Sequence, residues 1–152
     1  MVRKAVAVAA IALGATAGAL GVNAVLAQSD PIAARKALER SNDEQHKIGT
    51  AMVTGQLPFD LDHARTVFAT FLDVAGKAPN LFPENSKTGG DTTAAPKIWD
   101  DPDGFKAAYV RFATEAKAAQ EAVRDPATFR TRFEGVIRHC GACHEIFRVL
   151  KT

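Results

Sequence analysis

Apolar side chains recur every three or four residues in four stretches of this chain, the spacing of one face of an α-helix. The first stretch opens at Asp30-Pro31, an N-cap residue followed by proline at the first helical position, and runs to about Gly55. Its best stripe is Ala34, Leu38, Ser41, Gln45, Ile48 and Met52, which is thin, because Glu39 to Lys47 contains no apolar side chain. A helix so polar packs against something other than hydrocarbon, or stays in water. The turn Gly55-Gln56-Leu57-Pro58-Phe59-Asp60 leads to a second helix from Asp60 or Asp62 to about Ala78, with Leu61, Ala64, Phe68, Phe71, Leu72 and Ala75 as a clean buried face.

Residues 79 to 100 hold Pro79, Pro83, Pro96 and the pair Gly89-Gly90, so no helix continues through them. Within this connection, Leu81-Phe82-Pro83 and Ile98-Trp99 are expected to fold back as an apolar flap. Asp101-Pro102 repeats the cap signal and opens a third helix with Phe105, Ala108, Tyr109, Phe112, Ala116, Ala119 and Val123 on one face. Asp125-Pro126 opens the fourth, whose seam is Phe129, Phe133, Val136, Ile137, Cys140, Cys143, His144 and Phe147. No stretch alternates like a strand. The pattern predicts an all-α fold, an antiparallel four-helix bundle with helices of about 20 residues, or roughly 30 Å.

The chemistry of the chain is concentrated in Cys140-Gly141-Ala142-Cys143-His144. C-x-x-C-H is the attachment sequence for c-type haem, in which each thiol adds across a vinyl group to give a thioether and the imidazole binds the iron. On a helix these three residues stand at i, i+3 and i+4 and face one flat ligand. Three rival readings are weaker. A zinc site needs four N or S ligands and no second cluster is present; a thioredoxin-like pair belongs after a strand; a disulfide between residues three apart closes too small a loop to stabilise much. One covalent haem c through Cys140 and Cys143, with His144 as proximal iron ligand, is therefore the expectation. In an up-down-up-down bundle it brings the Arg35 to Asn42 segment of the first helix to the other face of the ring.

Composition changes this picture little until the N-terminus is set aside. Arg3 and Lys4 precede an Ala- and Gly-rich apolar run from Ala5 to Val22, and Val25-Leu26-Ala27 supplies a small-residue cleavage site, so residues 1–27 read as a cleaved signal peptide rather than a membrane anchor. Residues 28–152 then form one domain. Removing Arg3 and Lys4 from 19 basic residues leaves 17 against 17 acidic, so the mature chain is neutral and no nucleic-acid partner is implied. Export to the periplasm also suits covalent haem attachment.

With a C-x-x-C-H near the C-terminus of an exported four-helix chain, the mature sequence resembles the class II c-type cytochromes, the cytochrome c′ group and its low-spin relatives, over its whole length. The stretches that carry the resemblance are Asp30-Pro31 with Arg35-Lys36-Ala37-Leu38, Gly55 to Asp60, Leu81-Phe82-Pro83, Pro96-Lys97-Ile98-Trp99 and Cys140 to Arg148. The resemblance implies His144 as proximal ligand with Arg148 one turn beyond it, Arg35 close to a haem propionate, and pairing of two copies through the first two helices. One departure matters. Four residues after that arginine the low-spin members have an iron-binding methionine and the high-spin ones usually an apolar residue; here it is Glu39. Met52 lies 13 residues further on, about 20 Å along the axis, so methionine ligation does not carry over.

Three functions compete. An electron carrier serving redox partner proteins needs a ligated, partly exposed ring. Binding of a small gas such as nitric oxide or carbon monoxide needs a vacant distal position. An enzyme such as a peroxidase needs an oriented distal acid-base pair, and nothing in the sequence orients Glu39 or His46 for that. His63 and His139 read as surface histidines. The expected order is carrier, gas binder, enzyme, with Glu39 or its neighbour Leu38 at the distal position and a ferrous iron open to carbon monoxide.

Overall fold

The computed structural model describes residues 30–150, so the signal-peptide reading at 1–27 lies outside the described residues. Four long helices dominate: α1 (Pro31–Val53), α2 (Leu61–Lys77), α4 (Pro102–Ala122) and α5 (Pro126–Phe147), with a four-residue helix α3 (Lys97–Asp100) between the second and third of them. Each long helix starts at an aspartate whose side chain accepts from the first turn. Asp30 accepts from Ile32 N at 2.9 Å, Asp60 from His63 N at 2.7 Å, Asp101 from Gly104 N at 3.0 Å and Asp125 from Thr128 N at 2.7 Å. These bonds satisfy amides that have no partner within the helix. The expected starts are thus found, and α1 stops two residues earlier than expected, at Val53, where Gly55 turns the chain at φ 76°.

The core follows the expected faces. Ala64, Val67, Phe68 and Phe71 of α2 meet Phe112, Ala116 and Ala119 of α4 and Phe129, Phe133 and Val136 of α5. Phe129 is 1% exposed and stands 5.6 Å from Phe68 and 5.4 Å from Phe133, centroid to centroid. Burial of each such ring contributes about 1.5–3 kcal/mol. A smaller cluster of Ile98, Phe105, Ala108 and Phe147, with Phe82, Trp99 and Cys143 against it, closes the end of the bundle where α5 finishes.

Helix α1 is the exception. Of its expected stripe only Met52 is buried; Ser41 is exposed and the rest are half-buried. Instead it buries Ile32, Arg35, Gly49 and Met52. At Gly49 a Cβ would overlap the Phe133 ring, so glycine permits the close approach of α1 to α5.

The 78–100 connection is more structured than its prolines suggest. It contains 3-10 turns at Ala78–Asn80 and Glu84–Ser86 before α3. The expected flap is present: Ile98 is buried, and Trp99 Nε1 donates to Phe82 O at 3.0 Å. No strand occurs among the described residues. A single antiparallel bridge pairs Ala94 with Arg148, where Ala95 N donates to Phe147 O at 3.0 Å and Val149 N to Thr93 O at 2.9 Å.

Candidate functional site

Cys140, Cys143 and His144 come off the last turns of α5 and line one cleft, as their spacing requires. The opposite wall is Glu39 and Asn42 of α1, and the floor is Ala108, Tyr109 and Phe112 of α4; His139 completes the rim. The cavity between these walls is small, about 50 Å³, below the roughly 300–1,000 Å³ of small-molecule and cofactor sites. This placement explains part of the polar middle of α1, much of the rest, Arg40, Ser41, Asp43, Glu44, His46 and Lys47, being exposed to water. Glu39 and Asn42 belong to the stretch without apolar side chains and face the cleft rather than a hydrocarbon core.

Both cysteines are free thiols and half-buried. Burial, reinforced by the Glu39 carboxylate, pushes the Cys140 thiol up to about 11, and the same two causes in the same order raise Cys143. Both therefore stay protonated at neutral pH, the S–H form that adds across a vinyl group. Burial, with the Arg148 guanidinium adding to it, lowers the His144 pKa, which favours the neutral imidazole a metal needs. The Tyr109 phenol is driven well above its ordinary range by burial first and the Glu39 charge second, so it remains a donor. Its Oη–H donates to Glu39 Oε1 at 3.4 Å, and Asn42 Nδ2 donates to Glu39 Oε2 at 3.5 Å.

The residues present fit a covalently held haem. Two free thiols and one neutral imidazole face the same space, its floor is largely apolar, and Asn42 Oδ1 is buried there without a hydrogen-bond partner. A bare metal fits less well. Among the described residues no three His, Cys, Asp or Glu side chains are grouped so as to hold one.

Other residues singled out from the sequence lie elsewhere. Arg35 is 4% exposed and does not line the cleft. Its guanidinium donates to Leu81 O at 3.0 Å, Ser86 Oγ at 2.9 Å, Ser86 O at 2.9 Å and Thr92 Oγ1 at 2.7 Å, and lies 4.5 Å above the Phe82 ring. Met52 sits in the main core cluster, 8% exposed. His46 stacks on Phe133 with centroids 6.0 Å apart, and His63 is exposed beside Asp60. Leu38 is half-buried but is not part of the lining. His139, read as a surface histidine, is half-buried on the rim. Of the other lining residues, Tyr109 and Phe112 lie on the expected inner face of their helix and Asn42 lies in the segment expected opposite the ring, though none of the three was a candidate site residue.

Comparison with known proteins bears on what such a cleft holds. Residues 30–148 match the family model described as cytochrome C′. Cytochrome c′ of Rhodopseudomonas palustris is 40% identical over 133 residues, covering 88% of this chain and 91% of that protein. Cytochrome c-556 of Agrobacterium tumefaciens is 31% identical over 102 residues, covering 66% of this chain and 80% of that protein. The solved structure of the R. palustris cytochrome c′ superposes with a TM-score of 0.79 at 40% identity, over 82% of this chain and all of the other. Proteins of this family are c-type haem proteins that carry electrons or bind gases, and are not enzymes. With a match that runs through almost all of its described residues, the chain belongs to the cytochrome c′ family.

Proposed function

We propose that this protein is a periplasmic electron carrier that works through a single haem held covalently by Cys140 and Cys143, with His144 as the proximal iron ligand. The observation that carries the reading is the convergence of both thiols and the imidazole on one cleft at the end of the bundle. When bound, haem iron supplies a one-electron couple between the ferric and ferrous states. The chain does the rest. The two thioethers would fix the ring to α5, Arg148 helps to keep His144 neutral so that its lone pair is available, and Ala108 and Phe112 exclude water from the floor. The Glu39 carboxylate on the opposite wall places a negative charge where it favours the more positive, oxidised state.

Redox partner proteins follow from the carrier reading, the chain's near-neutral balance outside residues 1–27 implies no nucleic-acid partner, and no helix among the described residues is long and apolar enough to cross a membrane. Export after cleavage at residue 27, and pairing of two copies through α1 and α2, belong to the same proposal. A second reading, binding of a small gas, has its own support. The α1 wall offers neither methionine nor histidine, and Met52 is locked in the core, so no strong internal ligand is at hand for the sixth position.

The two readings separate in one experiment on the purified holoprotein. The carrier reading expects reversible one-electron reduction and reoxidation, and the open distal side expects the reduced spectrum to change on adding carbon monoxide. A ferric charge-transfer band of methionine-sulfur ligation, with a reduced spectrum indifferent to carbon monoxide, would contradict the distal assignment and exclude gas binding. Failure to reduce and reoxidise reversibly would contradict the carrier.

A further inference from the structure

A ring held by Cys140, Cys143 and His144 on the α5 wall would lie against α1 and α4, where the polar side chains lining the cleft are Glu39, Asn42 and Tyr109. Their hydrogen bonds run in one direction. Tyr109 Oη–H and Asn42 Nδ2–H both point at the Glu39 carboxylate, at 3.4 and 3.5 Å. The carboxylate, an acceptor only, fixes which way the Asn42 amide faces, because the flipped amide would set oxygen against oxygen. That orientation leaves Asn42 Oδ1 as the buried side-chain atom in this wall with no partner. Two donors are thus consumed inside the cluster, which leaves as acceptors the buried Asn42 Oδ1 and the remaining lone pairs of Glu39, on two residues that line the cleft. A buried acceptor without a donor is costly and calls for a ligand that supplies one.

We propose that Glu39 and Asn42 form a hydrogen-bond acceptor pair that selects a small protic ligand, one carrying O–H or N–H, at the open face of the haem. The proposal rests on the haem assignment given above and adds the chemistry of the sixth position. Water and a protic nitrogen base such as ammonia share that chemistry: a lone pair for the iron on one side and hydrogens for Glu39 and Asn42 on the other. Carbon monoxide has no hydrogen to give and leaves both acceptors unmet. A site built to hydrogen-bond a ligand discriminates strongly against one that cannot. Tyr109 is a positioning residue here, holding the carboxylate by its phenol.

The test uses ferric holoprotein, titrated with ammonia at one fixed pH, alongside Raman spectra in ordinary and oxygen-18 water and carbon monoxide titration of the reduced form. Glu39→Leu should weaken ammonia binding about 10-fold or more and Asn42→Leu about 3-fold, as expected for losing a charged and a neutral acceptor. Carbon monoxide affinity should hold or tighten in both. An oxygen-18-sensitive band in the wild type, diminished in the variants, identifies water as the resident ligand; ammonia selectivity without that band identifies a nitrogen base. Ammonia and carbon monoxide weakening together, or neither changing, would overturn the proposal. So would tighter ammonia binding in Glu39→Leu, which would mean that the carboxylate itself occupies the iron. If Glu39→Leu fails to hold haem, Asn42→Leu decides alone. Each of these outcomes is read on protein that carries covalent haem, so failure here is distinct from failure of the haem assignment, which shows as the absence of attached haem.

Discussion

The Arg35 guanidinium meets four neutral acceptors and an aromatic face in a setting that is 4% exposed, and burial lowers its pKa from the ordinary arginine value. Those acceptors belong to Leu81, Ser86 and Thr92, so one side chain of α1 ties down a segment more than forty residues away. Its neighbours join in: Lys36 Nζ donates to Gly90 O at 3.2 Å, and the Ile32 side chain packs where a Cβ on Gly90 would clash. Removing the guanidinium leaves buried acceptors without donors, so Arg35→Ala should destabilise the protein by about 2–4 kcal/mol. It should also speed proteolysis between residues 81 and 92. An unchanged melting temperature with unchanged cleavage would show that the clamp is not needed. The role expected for Arg35 from family resemblance, beside a haem propionate, depends on a group other than these four acceptors, and a propionate contact would have to compete with them. Cys140, Cys143 and His144 were legible in the sequence because one ligand dictates both their types and their spacing. Asn42 was legible only as the end of the Arg35 to Asn42 segment expected opposite the ring, because an asparagine in a polar run carries no sign of its own partner.

Helix starts were the most legible elements, since each rests on a local signal, aspartate before proline or before an apolar run. The strongest is at α5, where Asp125 and Thr128 cap each other reciprocally. The amide and hydroxyl of Thr128, ahead of the Arg124 charge, hold the Asp125 carboxyl below its ordinary value. A depressed folded-state pKa means stability that is present above the unfolded aspartate value of about 3.9 and is lost as pH falls through the folded value. Asp125→Asn keeps a capping oxygen but cannot titrate. Its melting temperature should fall less than that of the wild type between about pH 5 and pH 2, and parallel acid limbs would show that the cap charge contributes nothing. The short helix α3 and the 3-10 turns were hidden for the opposite reason. They are held by long-range contacts, such as Trp99 Nε1 to Phe82 O, and not by any cap of their own. The thin stripe of α1 was visible as an anomaly, and its two causes, a cleft beside Glu39 and Asn42 and water over most of the rest, became visible only with α4 and α5 in place.

Taken whole, the bundle has two ends of different character. Stacked and tilted phenylalanines fill the middle and the end where α5 begins, whereas the end where α5 finishes has the cleft, the smaller aromatic cluster and the bridge from Ala94 to Arg148. Cys143 packs against that smaller cluster, so a group attached there would continue the core between α1, α4 and α5. A ligand bound only by the folded state adds its binding free energy to stability, and the haem-free chain should therefore lose much of its tertiary packing. The measurement that bears most directly on this account is acid and organic extraction of the purified protein followed by mass spectrometry. It should find haem still attached in the wild type, with thioether bonds at Cys140 and Cys143, and no attached haem in Cys140→Ala with Cys143→Ala. Haem extracted from the wild type, or covalent haem persisting in the double variant, would contradict it.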